Sequence, residues 1–259
     1  MSPYPPHLIE RSELRVLPLG GSRYQLHVGL PPSYSTDRER RYPVVYASDG
    51  YWSFPMVAKM RDLLSFDRAV PEFIVVGLGY AGENLDYEKL RWNELSPVPL
   101  PDAPATSGHA AEFLRTIEDE MIPLVEREYR VDPSFRVLAG SSLGGLFTLF
   151  AMHGTPQPFR GFIAVTPAVM VGNDWIFQFE DAFAAMKEPI EGRLFMSVGG
   201  EEPAAYADAV RRFHSRVVAR KYPELSVRFS VIEEAGHCGG IFEGYVRGLR
   251  FMFASAPSR

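Results

Sequence analysis

A short glycine–serine motif lies near the middle of the chain. Residues 140–144 are Gly-Ser-Ser-Leu-Gly and fit the pattern Gly-x-Ser-x-Gly, with Ser142 at the centre. An apolar strand is predicted over residues 136–139 and an apolar helix over residues 143–153. A strand, a sharp turn and a helix are the setting in which such a serine becomes an exposed nucleophile. Ser142 is therefore the candidate nucleophile; the alternative is a glycine-rich turn that binds a phosphate group or no ligand.

A serine nucleophile needs a general base, and histidine commonly serves as one. Three histidines follow the motif: His153, His214 and His237. His153 ends the helix predicted after the motif, and His214 lies in an amphipathic stretch rich in arginine. His237 directly follows the last predicted strand, at the sheet edge where the serine motif is also expected. His237 is therefore the candidate base.

Two adjacent glutamates, Glu201 and Glu202, follow the strand predicted over residues 193–198. A carboxylate at this place could hold the imidazole of His237 in its productive tautomer. Both glutamates remain candidates for this acid, and Glu202 is the preferred one. The alternative is that they only stabilise the N-terminus of the next helix, where negative charge is favourable.

The oxyanion of an acyl-transfer intermediate needs hydrogen-bond donors. The backbone N–H of Leu143, next to the candidate nucleophile, is one candidate. A second is expected from residues 49–52, Asp-Gly-Tyr-Trp, which follow the first predicted parallel strand.

Aromatic and cationic side chains are also expected near these loops. The candidates for substrate binding are Trp52, Arg91, Trp92 and Trp175. Each of the three tryptophans is predicted to lie in a loop after a strand, so an aromatic or bulky acyl ester would fit a pocket that they line. The alternative is that several of these aromatic residues belong to the core.

Elements that could position these residues follow from the apolar pattern. Two strands separated by Gly-Gly-Ser predict an antiparallel hairpin, and six short apolar runs then alternate with amphipathic helices. The strands are predicted over residues 13–19, 23–30, 43–48, 73–79, 135–140, 161–166, 193–198 and 227–232. This order predicts an α/β fold with a mostly parallel central sheet, an N-terminal antiparallel hairpin and helices on both faces. We expect one domain over residues 1–259, with a long, proline-rich active-site loop at about residues 80–107 and no separate cap domain.

Composition excludes several classes of function. The 259 residues carry 27 Lys and Arg against 32 Asp and Glu, a net charge of −5, which gives no electrostatic basis for binding nucleic acid. One cysteine, Cys238, cannot form an intrachain disulfide. No apolar run predicts a signal peptide or a membrane span, so a cytoplasmic location is expected. No cluster of residues has the spacing of metal ligands, and we expect neither a metal nor a cofactor.

Several segments taken together resemble one known family. Residues 44–50 are similar to its strand ending in Leu-Asp-Gly, and residues 91–97 to its Arg-x-Arg-Asp-Leu-Thr-Pro segment. Residues 140–145 match its Gly-x-Ser-x-Gly-Gly motif, and Thr166-Pro167 resembles a Ser-Pro pair after the next strand. Over roughly residues 12–255 the chain resembles the "Putative esterase" branch of the α/β-hydrolases, close to the bacterial siderophore (enterochelin/salmochelin) esterases.

The resemblance implies roles for particular residues. Ser142 would be the nucleophile, His237 the base and Glu202 the acid of a catalytic triad. The N–H of Tyr51 would be the second oxyanion donor, beside that of Leu143. The expected function is therefore a serine esterase, acting through an acyl-enzyme on a small-molecule ester, with siderophore-type and aromatic esters as candidate substrates. The alternatives are an acyltransferase on the same scaffold and a catalytically silent binding module.

Overall fold

The structure is a computed structural model, which describes residues 12–19, 22–100, 107–154 and 157–254. Eight strands form one sheet in these residues, in the order β1-β2-β4-β3-β5-β6-β7-β8. Their bounds are β1 Ser12–Leu19, β2 Ser22–Gly29, β3 Tyr42–Ala47, β4 Ile74–Tyr80, β5 Val131–Ser141, β6 Gly161–Val165, β7 Gly192–Gly199 and β8 Leu225–Ile232. β2 pairs antiparallel with β1 and β4, whereas all other pairs are parallel. The predicted α/β fold, with its antiparallel hairpin at one edge, is confirmed.

Helices connect the parallel strands. They are α1 Gly50–Phe66, α2 Tyr87–Leu95, α3 Ala110–Thr116, α4 Ile122–Glu128, α5 Leu143–Met152, α6 Val171–Met186, α7 Ala204–Arg220 and α8 Gly240–Met252. A π-helical turn over Ile117–Met121 joins α3 to α4 without a break in the helical backbone.

The central strands supply apolar side chains to both faces of the sheet. Along β3, Val44 and Tyr46 belong to one buried cluster, and Val45 and Ala47 belong to the other. This division follows from the alternation of side chains along a strand. Helices α1 and α8 cover the second cluster, and α2 to α7 pack against the first. The sheet is therefore covered by helices on both faces, as predicted.

Residues 80–107 are not a continuous loop, because α2 lies within them. Its N-cap residue Asp86 accepts a hydrogen bond from the Lys89 N–H at 3.0 Å, which satisfies a donor at the start of the helix. Leu95 and Glu94 are buried at its other end. The prediction of a loop was wrong over the helical residues, and residues 101–106 lie outside the described residues.

Within the part of the chain that the structure describes, no helix combines the length and the apolar character needed to cross a membrane.

Candidate active site

The serine motif forms a sharp turn between β5 and α5. Ser142 has φ 54° and ψ −118°, a backbone conformation that is rare outside glycine and that marks functional turns. Its N–H donates to the Val165 carbonyl at 3.0 Å, and its carbonyl accepts from the N–H groups of Leu146 at 3.0 Å and Ala168 at 2.9 Å. These three hydrogen bonds hold the strained residue in place on both sides.

Glycine is required on both sides of this turn. A Cβ atom on Gly140 would overlap the Gly144 carbonyl, and one on Gly144 would overlap the Ser48 hydroxyl. The missing side chains let the start of α5 lie directly against the end of β3. The spacing of the two glycines in the sequence therefore has a steric cause.

A carboxylate and an imidazole meet at the ends of β7 and β8. The Nδ1 atom of His237 lies 3.0 Å from Oε1 and 3.1 Å from Oε2 of Glu202. The Glu202 side chain is 1% exposed, whereas that of His237 is 36% exposed. Glu201, the other candidate acid, is exposed to solvent. The structure thus brings His237 to Glu202, the preferred of the two glutamates.

Backbone contacts explain why these two loops lie together. The Gly200 N–H donates to the Ile232 carbonyl at 2.8 Å, and the Glu201 N–H donates to the Ala235 carbonyl at 3.0 Å. A Cβ atom on Gly199 would overlap the same Ala235 carbonyl. Glycine at position 199 is therefore needed for the close approach that brings Glu202 to His237.

The two predicted oxyanion donors lie at helix N-termini. Leu143 is the first residue of α5, where an N–H has no partner within the helix, and Tyr51 is the second residue of α1. A Cβ atom on Gly50 would lie 2.7–2.8 Å from the backbone of Gly77 and Leu78, so glycine lets the start of α1 pack onto β4.

Asp49, the residue before α1, is held by an ion pair. Its carboxylate accepts two hydrogen bonds from Arg91 of α2, at 2.5 Å from Nε and 3.1 Å from Nη2. Burial raises the pKa of the Asp49 carboxyl, and the charge and hydrogen bonds of Arg91 act in the opposite direction. Arg91 also lies 5.1 Å from the centre of the Trp52 ring. This candidate substrate-binding cation is thus engaged with the segment that carries Tyr51.

All three tryptophans lie in helices, which corrects the prediction that they lie in loops. Trp52 is in α1 and is 44% exposed, and Trp92 in α2 packs against the core. Trp175 in α6 stacks on Phe179 with 4.7 Å between ring centres. A helix begins within a few residues of the strand in each case, and the tryptophan lies beyond the start of that helix. Substrate binding by Trp52, Arg91, Trp92 and Trp175 stays a prediction.

Two residues without a predicted role touch the site. Thr166 follows β6, and its hydroxyl donates to Oε1 of Glu202. The hydroxyl of Tyr206, in the first turn of α7, donates to the Thr166 carbonyl at 2.8 Å, and its ring meets that of His237 edge-on. No spacing in the sequence indicates the tyrosine, because its partners Thr166 and His237 are distant from it in the chain.

Among the described residues, no group of three His, Cys, Asp or Glu side chains could hold a metal ion. Cys238, which follows the candidate base, is a free and exposed thiol.

The sheet order, the strained serine turn and the acid–base pair at the carboxyl ends of the strands define the class of α/β-hydrolases. The family described as "Putative esterase" matches residues 19–237, and the chain belongs to this family. It is a carboxylic ester hydrolase.

Named relatives and a solved structure are similar to this chain over most of its length. YbbA of Bacillus subtilis, an uncharacterized protein, is 30% identical over 189 residues, which cover 71% of this chain and 70% of the relative. The ferri-bacillibactin esterase BesA of the same organism is 23% identical over 265 residues, covering 94% and 90% of the two chains. The solved structure of the siderophore hydrolase EstB from Aspergillus nidulans has a TM-score of 0.81 at 26% identity and covers 97% of this chain and 98% of its own.

Proposed function

We propose that the protein hydrolyses carboxylic esters through a covalent acyl-enzyme formed on Ser142, with His237 as general base and Glu202 as the acid that orients it. The observation that carries this proposal is the hydrogen bond between His237 and the buried Glu202 beside the strained serine turn. The position of the serine turn supports it further, because the Ser142 N–H donates to the Val165 carbonyl and the next residue, Thr166, donates from its hydroxyl to Glu202. The nucleophile and the acid therefore lie at the same edge of the sheet.

The chemistry follows from the two nitrogens of His237. Nδ1–H is engaged with the Glu202 carboxylate, which leaves Nε2 to take the proton of the Ser142 hydroxyl as its oxygen attacks the ester carbonyl carbon. The N–H groups of Leu143 and Tyr51 would stabilise the resulting oxyanion. When the intermediate collapses, the alcohol leaves with the proton from His237. Water then attacks the acyl-enzyme, with His237 again as base, and releases the carboxylic acid and the free serine.

Siderophore-type or aromatic esters are the substrate class that we propose. BesA, EstB and a triacetylfusarinine C esterase of Aspergillus fumigatus are named for siderophore hydrolysis. Aromatic surface also lies beside the second oxyanion donor: Tyr51 is 37% exposed, and its ring lies 4.8 Å from that of Tyr87. Rings of this kind could pack against an aromatic acyl group.

Substitution of the serine tests the mechanism. Ser142→Ala should abolish both turnover of a p-nitrophenyl ester and labelling by a fluorophosphonate probe, because no nucleophile remains. Ser141→Ala is the matched control, because it removes the neighbouring hydroxyl and should keep both activities. Near-wild-type turnover by folded Ser142→Ala would falsify the proposed mechanism.

A further inference from the structure

A chain of hydrogen bonds extends from the proposed acid to a tyrosine beside the imidazole. The Thr166 hydroxyl donates to Glu202, and the Thr166 carbonyl accepts from the Tyr206 hydroxyl. The Tyr206 ring meets the His237 ring edge-on, with 5.3 Å between ring centres. We propose that Thr166 and Tyr206 are positioning residues for ester hydrolysis, Thr166 fixing the Glu202 carboxylate and Tyr206 fixing Thr166 and the edge of the imidazole. The inference rests on the proposed roles of Ser142, His237 and Glu202.

The backbone of Thr166 is held in place, so its hydroxyl can fix the Glu202 carboxylate. Its backbone has φ 40°, in the left-handed region, and its N–H donates to the Ser197 carbonyl at 2.8 Å. The residue is 1% exposed, so water cannot replace the Glu202 carboxylate as the hydrogen-bond acceptor of its hydroxyl. Oε1 of Glu202 receives hydrogen bonds from both Thr166 and His237. The threonine therefore limits rotation of the carboxylate and, through it, of the imidazole.

Tyr206 has a single hydroxyl proton, which it donates to the Thr166 carbonyl. Burial, followed by the charge of Glu202, raises the pKa of Tyr206, so the phenol stays neutral and cannot replace His237 as base. The tyrosine therefore holds the Thr166 backbone in one position, and its ring restrains the edge of the imidazole.

Three substitutions test whether Thr166 and Tyr206 position the catalytic groups or only support the fold. Thr166→Val and Tyr206→Phe keep the shape and remove one hydroxyl each, whereas Thr166→Ser keeps the hydroxyl. We expect each of the first two to lower kcat on a p-nitrophenyl ester about 3- to 10-fold, as fits the net effect of one hydrogen bond. KM should stay within about twofold, and Thr166→Ser should restore most of kcat. Since both residues act in one chain, the double variant should lose less than the product of the two single losses.

Tyr222→Phe is the matched control, because its hydroxyl donates to Glu180 at 3.1 Å, outside this chain of hydrogen bonds. Its kcat should equal that of the wild type. Thermal unfolding of every variant, followed by circular dichroism, checks that the fold is retained. If Tyr206→Phe fails to fold, the valine and serine variants of Thr166 decide the question alone.

The inference is overturned if Thr166→Val and Tyr206→Phe keep kcat within twofold while Ser142→Ala is inactive; the proposed function then stands. It is also overturned if Thr166→Ser loses as much as Thr166→Val, or if the losses appear in KM. Activity retained by Ser142→Ala would instead reject the proposed function, and with it this inference.

Discussion

Glu201 and Glu202 are neighbours in the sequence but lie in opposite environments. Glu202 is buried against His237 and Thr166, whereas Glu201 is exposed. We expect Glu202→Gln to lower kcat about 10²- to 10⁴-fold, because an amide in place of the carboxylate neither fixes the tautomer nor stabilises the imidazolium. Glu201→Gln should stay within twofold of the wild type. Steady-state hydrolysis of a p-nitrophenyl ester measures both, and equal losses in the two variants would contradict the assignment.

Among the individual site residues, the sequence predicts those whose position in the sheet follows from the order of strands along the chain. Loops after neighbouring parallel strands meet at one sheet edge, so His237 and Glu202 could be expected together. The same argument places Thr166, which follows β6, at this edge, but it does not indicate that the hydroxyl of Thr166 contacts Glu202, and it does not reach Tyr206. These contacts depend on a left-handed backbone at Thr166 and on the direction in which α7 leaves the sheet. Neither property leaves a clear pattern in the order of residues.

Two helix segments are joined by the Arg91–Asp49 pair, since Asp49 precedes α1 and Arg91 belongs to α2. The side chains are only 18% and 3% exposed, so Arg91→Met would leave a buried carboxylate without its partner. Such a change costs about 3–5 kcal/mol of unfolding free energy. It should also lower kcat, because Asp49 directly precedes the segment that carries the Tyr51 N–H. Urea unfolding at pH 8 and ester hydrolysis measure the two effects.

Arg212→Met is the matched control for this prediction. Arg212 pairs with Asp174 at the surface, where the side chains are 60% and 37% exposed. Loss of an exposed pair should cost about 1 kcal/mol or less and leave kcat unchanged. The double variant Arg91→Met/Asp49→Asn should recover part of the lost stability, because no buried charge remains. An equal effect of Arg91→Met and Arg212→Met would contradict the structural role of the buried pair.

Among the elements, the strands were more predictable than α2. The eight apolar runs lie in strands, and those at the centre of the sheet are apolar throughout because helices cover them on both faces. Helix α2 has the sequence Tyr-Glu-Lys-Leu-Arg-Trp-Asn-Glu-Leu and is followed by a proline-rich stretch. It has few apolar residues to show a helical period, and its burial depends on tertiary contacts with the core. Helix α2 is therefore stabilised by tertiary packing, which the local sequence pattern does not show.

The stability of the whole molecule should depend on pH through one buried carboxyl. Glu94 is 4% exposed and accepts a hydrogen bond from the Tyr24 hydroxyl at 2.8 Å. Burial raises its pKa from 4.5 to about 7. Because the folded-state pKa is the higher one, this contribution to stability is complete below about pH 4.5 and is lost as pH rises through 7.

Glu94→Gln should remove this dependence. Between pH 5 and pH 8, the unfolding free energy of the variant relative to the wild type should rise by roughly 2–3 kcal/mol, since each pH unit in the window contributes up to about 1.4 kcal/mol. Urea titrations at half-unit steps of pH measure the difference. A difference that is constant with pH would show that Glu94 ionises with an ordinary pKa in the folded protein.

Parallel strands β5, β6, β7 and β8 lie side by side in the order of the chain, and each is followed by one part of the site. The ribosome makes the chain in the same direction, and a domain begins to fold as it emerges. A nascent chain that ends between α7 and β8 contains Ser142, Thr166 and Glu202 but not His237. If the proposed mechanism holds, such a chain has no general base, so we expect it to hydrolyse no ester until the residues after β8 have been translated.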